Sequence, residues 1–380
     1  MAFCAKLFYM KKALFFILGL LLLFHLVNIV SHYVIKDRTS YELIFNIPVL
    51  SRGGILPWMN FDGQNYLRIV KFGYESDKTL TAFYPIYPLA IKILSLNSFF
   101  NPIIIGLLIS YFSSFLACLV FYQLTKNEYS EKIAFRSLFL LLIFPSSFYL
   151  FAYYTEGLFL LFSVLVFWFI RKKNILLATI FASAATATRI VGLALIPVLI
   201  FEAYRIYKKQ GRFPWIITIA PAGLLAYMLY TFLKFGNPFL MIISQTDSRF
   251  ARYIGFVSPV KIFIEWPQKI LAGPSQVYDS LFVYPVIILE FVFAVFAIVI
   301  LFLAKKKLGF GYFLYNLFGV LIIFFSGSLS SNMRYQLVLF PTFIYLAQSL
   351  SGKFYLAWSI ISLIVLIFAS SLFLRNYWIA

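Results

Sequence analysis

The stretch NILLATIFASAATATRIVGLALIPVLIFEAY, residues 174–204, decides how the chain threads a bilayer. It is a run of about 30 mostly apolar residues, longer than the roughly 20 that one crossing requires, with Arg189 near its middle. Arg171, Lys172 and Lys173 precede it, and Arg205 to Arg212 follow with further basic residues. It reads either as one long helix with a buried arginine or as a hairpin of two short helices with Arg189 at the turn. Lysine and arginine stay on the cytoplasmic side of short loops, so basic clusters at both ends require two crossings. An unpaired arginine at mid-membrane also costs several kcal/mol. The hairpin is the preferred reading, and it places Arg189 on the outer side.

The same accounting extends to the whole chain. Of 380 residues, 63% are hydrophobic and only 12% are charged, against about 25% charged in soluble domains. About eleven segments are long and apolar enough to count as spans. The expected fold class is an all-α polytopic membrane protein forming a single transmembrane domain over 1–380. The net charge of +19 lies in clusters between apolar runs, which points to cytoplasmic retention and anionic lipid rather than nucleic acid. Lys6, Lys11 and Lys12 place the N-terminus inside. The first run, Ala13 to Val30, lacks a small-residue cleavage site and reads as a retained anchor. Cys4 and Cys118 fall at different depths, so no disulfide is expected.

Two external loops follow from this threading. The first, 34–101, contains Gly53-Gly54 and Pro57 as breakers and a short interfacial helix over Tyr84 to Leu94. The second spans 236–280. A helix over Ala134 to Phe151 is expected to kink at Pro145, and the run Leu337 to Leu350 to cross as one helix. On this threading the basic clusters share one side, while Asp62, Glu156, Arg189, Arg252 and Arg334 share the other.

Asp62 is the main chemical candidate, because an acid packed among aromatics at an interface can serve as a general base. Aspartate is also a favoured N-cap, which would make it a plain helix start. Glu156 opens an apolar helix, where the helix dipole alone favours a carboxylate. Arg189 and Arg334 can grip phosphate with their planar forks, or snorkel to head groups. Arg249, Arg252 and Lys261 read as further phosphate contacts or as solvated charges. Glu290 sits inside an apolar helix without an assignable role. His25 and His32 share a helix face but lack a third ligand. Gly63 and Gln64 follow Asp62, so a paired-carboxylate metal grip is not supported. No cofactor is required by this reading, and metal dependence stays open.

At these residues the chain resembles the PIG-V-type family, similar to GPI mannosyltransferase II. Phe61-Asp62-Gly63 with Tyr66, then Phe72-Gly73-Tyr74, then Ala82-Phe83-Tyr84-Pro85-Ile86-Tyr87-Pro88 are similar to that family's first luminal loop. Tyr154-Thr155-Glu156-Gly157, Ala187-Thr188-Arg189 with Gly192, Gly236-Asn237-Pro238 through Gln245 and Arg252, and Arg334-Tyr335 with Phe340-Pro341 follow in the family's order. The resemblance implies a GT-C membrane glycosyltransferase using a polyprenyl-phosphate sugar, with mannose as the sugar and a glycan or glycolipid as acceptor. It implies a catalytic role for Asp62. Tyr66, Tyr84, Tyr87, Glu156, Arg189, Arg252 and Arg334 would then bind substrate. Phe61 stands where the family carries Trp, and Ile190-Val191 where it carries Ser-Asn. Compact loops and no retention signal favour a prokaryotic plasma membrane with an extracytoplasmic active face. The rival class is a transporter or flippase of lipid-linked sugars, which predicts polar groups at the bilayer midplane.

Overall fold

The computed structural model describes residues 2–38, 54–246, 258–274 and 283–379, with the side chains of 2–14 not described. It is helical throughout the described residues. Helix α1 (Ala2–Val34) is followed by α2 (Asp62–Phe72) and α3 (Ile86–Leu94) within the first loop. Then come α4 (Pro102–Glu128), α5 (Glu131–Leu142), α6 (Glu156–Arg171), α7 (Ile175–Thr186), α8 (Leu195–Gln210) and α9 (Ala222–Phe235). The second loop carries α10 (Pro259–Ala272), and α11 (Tyr284–Ala304), α12 (Phe310–Phe324), α13 (Asn332–Leu337), α14 (Pro341–Ser349) and α15 (Gly352–Leu374) complete the chain.

Six described helices are long and apolar enough to cross a membrane: Phe15–Val34, Pro102–Glu128, Ile190–Gln210, Trp215–Phe235, Tyr284–Ala304 and Gly352–Leu374. The molecule is a multi-pass membrane protein with a strongly aromatic core. Helix α4 packs along α6, α6 along α7, α5 against α14, and α1 against α15.

The run at 174–204 is a hairpin. Helix α7 stops at Thr186, the backbone at Arg189 is extended, and a 3-10 turn over Ile190–Ala194 leads into α8. Gly192 permits this fold-back, because a Cβ there would lie 2.6 Å from the Ala185 carbonyl. Two expected spans are broken instead. The helix meant to kink at Pro145 ends at Leu142, and a 3-10 turn over Ser147–Leu150 follows. The run expected over 337–350 is helical only over α14, which begins at Pro341, because the short α13 before it already ends at Leu337. At Pro145 the ring removes the N–H a continuing helix needs and disfavours helical geometry in the residue before it, whereas Pro341 stands at a helix start, where the missing N–H costs nothing. These breaks put irregular backbone at one end of the bundle, where the polar side chains gather.

The opposite end carries the basic clusters. Helix α6 runs from Glu156 to Arg171, roughly 24 Å at 1.5 Å per residue. There Arg171 Nε meets Glu128 Oε1 at 2.7 Å, and the Tyr312 hydroxyl donates to the same oxygen at 2.7 Å. Lys307 Nζ reaches Ser349 Oγ at 3.1 Å.

Candidate active site

Asp62 is the first residue of α2, but its carboxylate does not cap that helix. Instead Oδ2 lies 2.7 Å from Nη1 of Arg334. Phe61, just before it, has φ +60°, a left-handed value that costs a non-glycine residue about 1–3 kcal/mol. The Asp62 N–H donates to the Tyr154 hydroxyl at 3.2 Å, and that hydroxyl donates to the Asn60 carbonyl at 2.7 Å. Asn60 Nδ2 in turn donates to the Phe373 carbonyl at 2.9 Å. The loop is therefore tied down on both sides of Phe61, which supports its strained backbone.

Glu156 opens α6 and is fully buried. Gly157 lets α6 begin against α4, since a Cβ there would lie 2.0 Å from Ser114 Oγ. The Glu156 Oε1 atom accepts from Arg189 Nη1 and stands 2.8 Å from Arg334 Nε. The latter contact is ionic, because the Arg334 Nε–H is not aligned for a hydrogen bond. Arg189 Nη1 also donates to Thr155 Oγ1 at 3.2 Å. Four charges from four distant parts of the chain thus alternate in sign: Asp62, Arg334, Glu156, Arg189. Their sum is zero, which makes their common burial tolerable.

Aromatic rings enclose the guanidinium groups. Arg334 lies 5.3 Å from the centroids of both Tyr149 and Tyr154, and Arg189 lies 4.7 Å over Tyr335. Such cation–π contacts favour the charged form. Burial works against the Arg334 charge, but Asp62 and Glu156 outweigh it and hold its pKa well above the ordinary value. Burial, then Asp62, pushes the Tyr66 hydroxyl up, and burial does the same to Tyr84. Both hydroxyls stay protonated and can donate.

A cleft opens over this network. Asp62, Arg189, Arg334, Tyr66 and Tyr84 line it, with Phe83, Thr188, Gln245, Ser330, Ser331, Tyr335 and Trp378. The Tyr84 side chain is 4% exposed, and its hydroxyl has no hydrogen-bond partner among the described residues.

Of the sequence candidates, the structure brings together Asp62, Tyr66, Tyr84, Glu156, Arg189 and Arg334. Tyr87 stands behind the cleft wall: its ring meets that of Tyr66 edge to face at 5.2 Å, but it is fully buried, donating to Gly106 O at 3.0 Å with Ser110 Oγ at 2.9 Å, and does not itself line the cleft. Arg252 and Arg249 lie outside the described residues. Lys261 faces Glu265 at 3.5 Å on α10 and does not line the cleft. Glu290 acquires a place: its Oε1 accepts from the Ser331 N–H at 3.1 Å and its carbonyl accepts from Asn332 Nδ2 at 3.0 Å. Gln336 Nε2 donates to Phe293 O at 2.6 Å, so α13, which carries Arg334, is pinned onto α11. Two further residues at the site are not singled out by the sequence: Tyr154, whose hydroxyl accepts from the Asp62 N–H and which stands two residues before Glu156 in the motif, and Trp378, which borders the cleft and has no local signal. Among the described residues no group of three His, Cys, Asp or Glu side chains could hold a metal ion.

No family model matches this chain, and no curated protein matches it. Among solved structures, ArnT from Cupriavidus metallidurans bound to undecaprenyl phosphate is similar at 14% identity, over 93% of this chain and 78% of that one, with a TM-score of 0.40. A likeness that loose establishes neither a shared fold nor a shared activity.

Proposed function

We propose that the protein is an integral-membrane glycosyltransferase of GT-C type that moves a sugar from a polyprenyl-phosphate donor to an external glycan or glycolipid. The observation that carries this reading is the convergence of one loop carboxylate with two buried arginines at a single cleft. In the reaction, the acceptor hydroxyl oxygen attacks the anomeric carbon and forms the new C–O bond. The bond from that carbon to the phosphate oxygen breaks, and its electron pair leaves with the carrier phosphate. Asp62 takes the acceptor's proton, as a positioned general base; its Oδ2 is paired with Arg334, which leaves Oδ1 for that task. Arg189 and Arg334 stabilise the departing phosphate charge. Attack in line with the leaving group inverts the anomeric centre.

The phosphate leaves already ionised, so no second acid has to protonate it. Glu156 then serves to hold the two guanidinium groups at one spacing, and Tyr66 and Tyr84 supply hydroxyl donors to the bound sugar. The sugar assignment, mannose, rests on the motif series alone. About eleven passes result when α5, α6, α7, α12 and α14, each shorter than the roughly 20 residues of a lone helical crossing, are taken to complete their crossings through the irregular segments beside them, with the cleft on the extracytoplasmic side of a prokaryotic plasma membrane.

The test is transfer by purified protein from synthetic polyprenyl-phosphate mannose to a panel of glycan and glycolipid acceptors. Radiolabel appearing on an acceptor supports the reading. Movement of the donor lipid between leaflets without any transfer would replace it with lipid transport.

A further inference from the structure

The segment after α15 is anchored with an unusual concentration of buried polar contacts. Arg375 is fully enclosed; its Nη2 donates to Asn28 Oδ1 at 2.8 Å, and its Nη1 lies 3.0 Å from His32 Nδ1 and 3.4 Å from Asp37 Oδ1. The Arg38 N–H donates to the Arg375 carbonyl at 3.0 Å, and Asn376 Nδ2 returns a bond to the Arg38 carbonyl at 2.9 Å. Asn376 is also held at φ +62°, in the left-handed region. The Tyr377 hydroxyl donates to Lys36 O at 3.1 Å. None of these residues lines the cleft, yet the next one does. Trp378 meets Phe61 edge to face at 5.1 Å and borders the cleft beside Asp62, Arg334 and Tyr335.

The other aromatics of the cleft offer little open ring. Tyr66 is 6% exposed, Phe83 7% and Tyr84 4%, while the Tyr335 ring already carries Arg189. Among the cleft's described aromatic residues, Trp378 alone is partly exposed rather than buried. Apart from the small Ala82 and the aliphatic Ile190, the remainder of the wall carries charged, hydroxyl or amide groups, suited to a phosphate and an attacking hydroxyl. A pyranose between those groups still has a face of C–H bonds that needs an apolar surface, and a large flat ring supplies it with little loss of conformational freedom.

We infer that Trp378 is the stacking platform for the donor's sugar ring and a specificity-determining residue of the cleft, with the Arg375–Asn376 anchor setting its position against Asp62. This rests on the glycosyltransfer reading above. The test separates sugar from carrier. Dissociation constants are measured in nanodiscs for polyprenyl-phosphate mannose and for the same polyprenyl phosphate without sugar, using the wild type and Trp378→Ala, Trp378→Phe and Trp378→Leu.

Alanine and leucine are expected to weaken the sugar-bearing ligand about three- to tenfold, in line with the scale of aromatic contacts. Binding of the bare carrier should stay within about twofold, and phenylalanine should recover most of the loss. In turnover the loss should fall on the donor KM rather than on kcat. Equal weakening of both ligands, or of neither, would overturn the inference; if alanine prevents folding, the leucine and phenylalanine variants decide it. Wild-type protein that binds both ligands yet transfers no sugar would instead defeat the transferase reading, and the ratio of the two constants would still decide whether the indole meets the sugar.

Discussion

Replacing Glu156 by glutamine keeps the side-chain shape and removes one charge from the centre of the network. Its Oε1 atom faces two cations, Arg189 Nη1 by a hydrogen bond and Arg334 Nε at 2.8 Å. At an effective dielectric of about 20, a unit pair at that separation attracts by about 6 kcal/mol. Desolvation opposes this gain, and breaking a buried pair by removing one partner costs about 3–5 kcal/mol. After Glu156→Gln, Asp62 is the one acid left in the network and, among the described residues, pairs only with Arg334, so Arg189 loses its anionic partner. Removing that stranded cation as well, in Glu156→Gln with Arg189→Gln, should recover part of the loss. The expected coupling is at least about 1 kcal/mol, within the range for contacting residues. Denaturant unfolding in detergent, followed by tryptophan fluorescence on the wild type, both single variants and the double, measures it. Strictly additive effects, or a Glu156→Gln protein as stable as the wild type, would refute the proposed charge linkage.

Three further outcomes are expected. Gly157→Ala places a Cβ 2.0 Å from Ser114 Oγ and 3.0 Å from the Leu150 and Ser110 carbonyls; it should destabilise by about 1–3 kcal/mol, and an unchanged melting temperature would show that α4 and α6 can part freely. Tyr87→Phe should cost about 1 kcal/mol of stability through its lost hydrogen bonds and leave donor KM within about twofold; a kinetic loss without a stability loss would return Tyr87 to the site. Cysteine placed at the exposed Ser76 should react with an impermeant maleimide from the outer side of intact cells, and labelling only in inverted vesicles would reverse the threading.

Much of this arrangement is legible in the sequence, for identifiable reasons. Basic clusters on both sides of 174–204 determine an even number of crossings, and a hairpin with Arg189 at its turn is what forms. Asp62, Glu156, Arg189 and Arg334 do meet at one end, as expected from a threading that puts each beyond an odd number of spans. What the residues alone do not reveal is pairing. Whether Arg334 meets Asp62, Glu156 or a head group depends on packing between elements far apart in the chain. Glu290 is legible as an anomaly in an apolar helix, but its partners, Ser331 and Asn332, are set by how α13 lies on α11. The two broken spans differ from expectation because the helix before Pro145 stops at Leu142 instead of kinking, and because Pro341 starts a helix inside the run expected to be continuous. Tyr87 sits in the same Tyr-Pro-rich stretch as Tyr84 but lies in the first turn of α3 and bonds to α4, whereas Tyr84 precedes the helix and borders the cleft.

The central claim is that the Asp62 carboxylate removes the acceptor's proton. Single-turnover transfer by Asp62→Asn, with donor binding measured in parallel, tests it most directly. The predicted result is retained donor binding with transfer slowed about 10²–10⁴-fold, the range for loss of a general base. Transfer at the wild-type rate by the asparagine variant would contradict it.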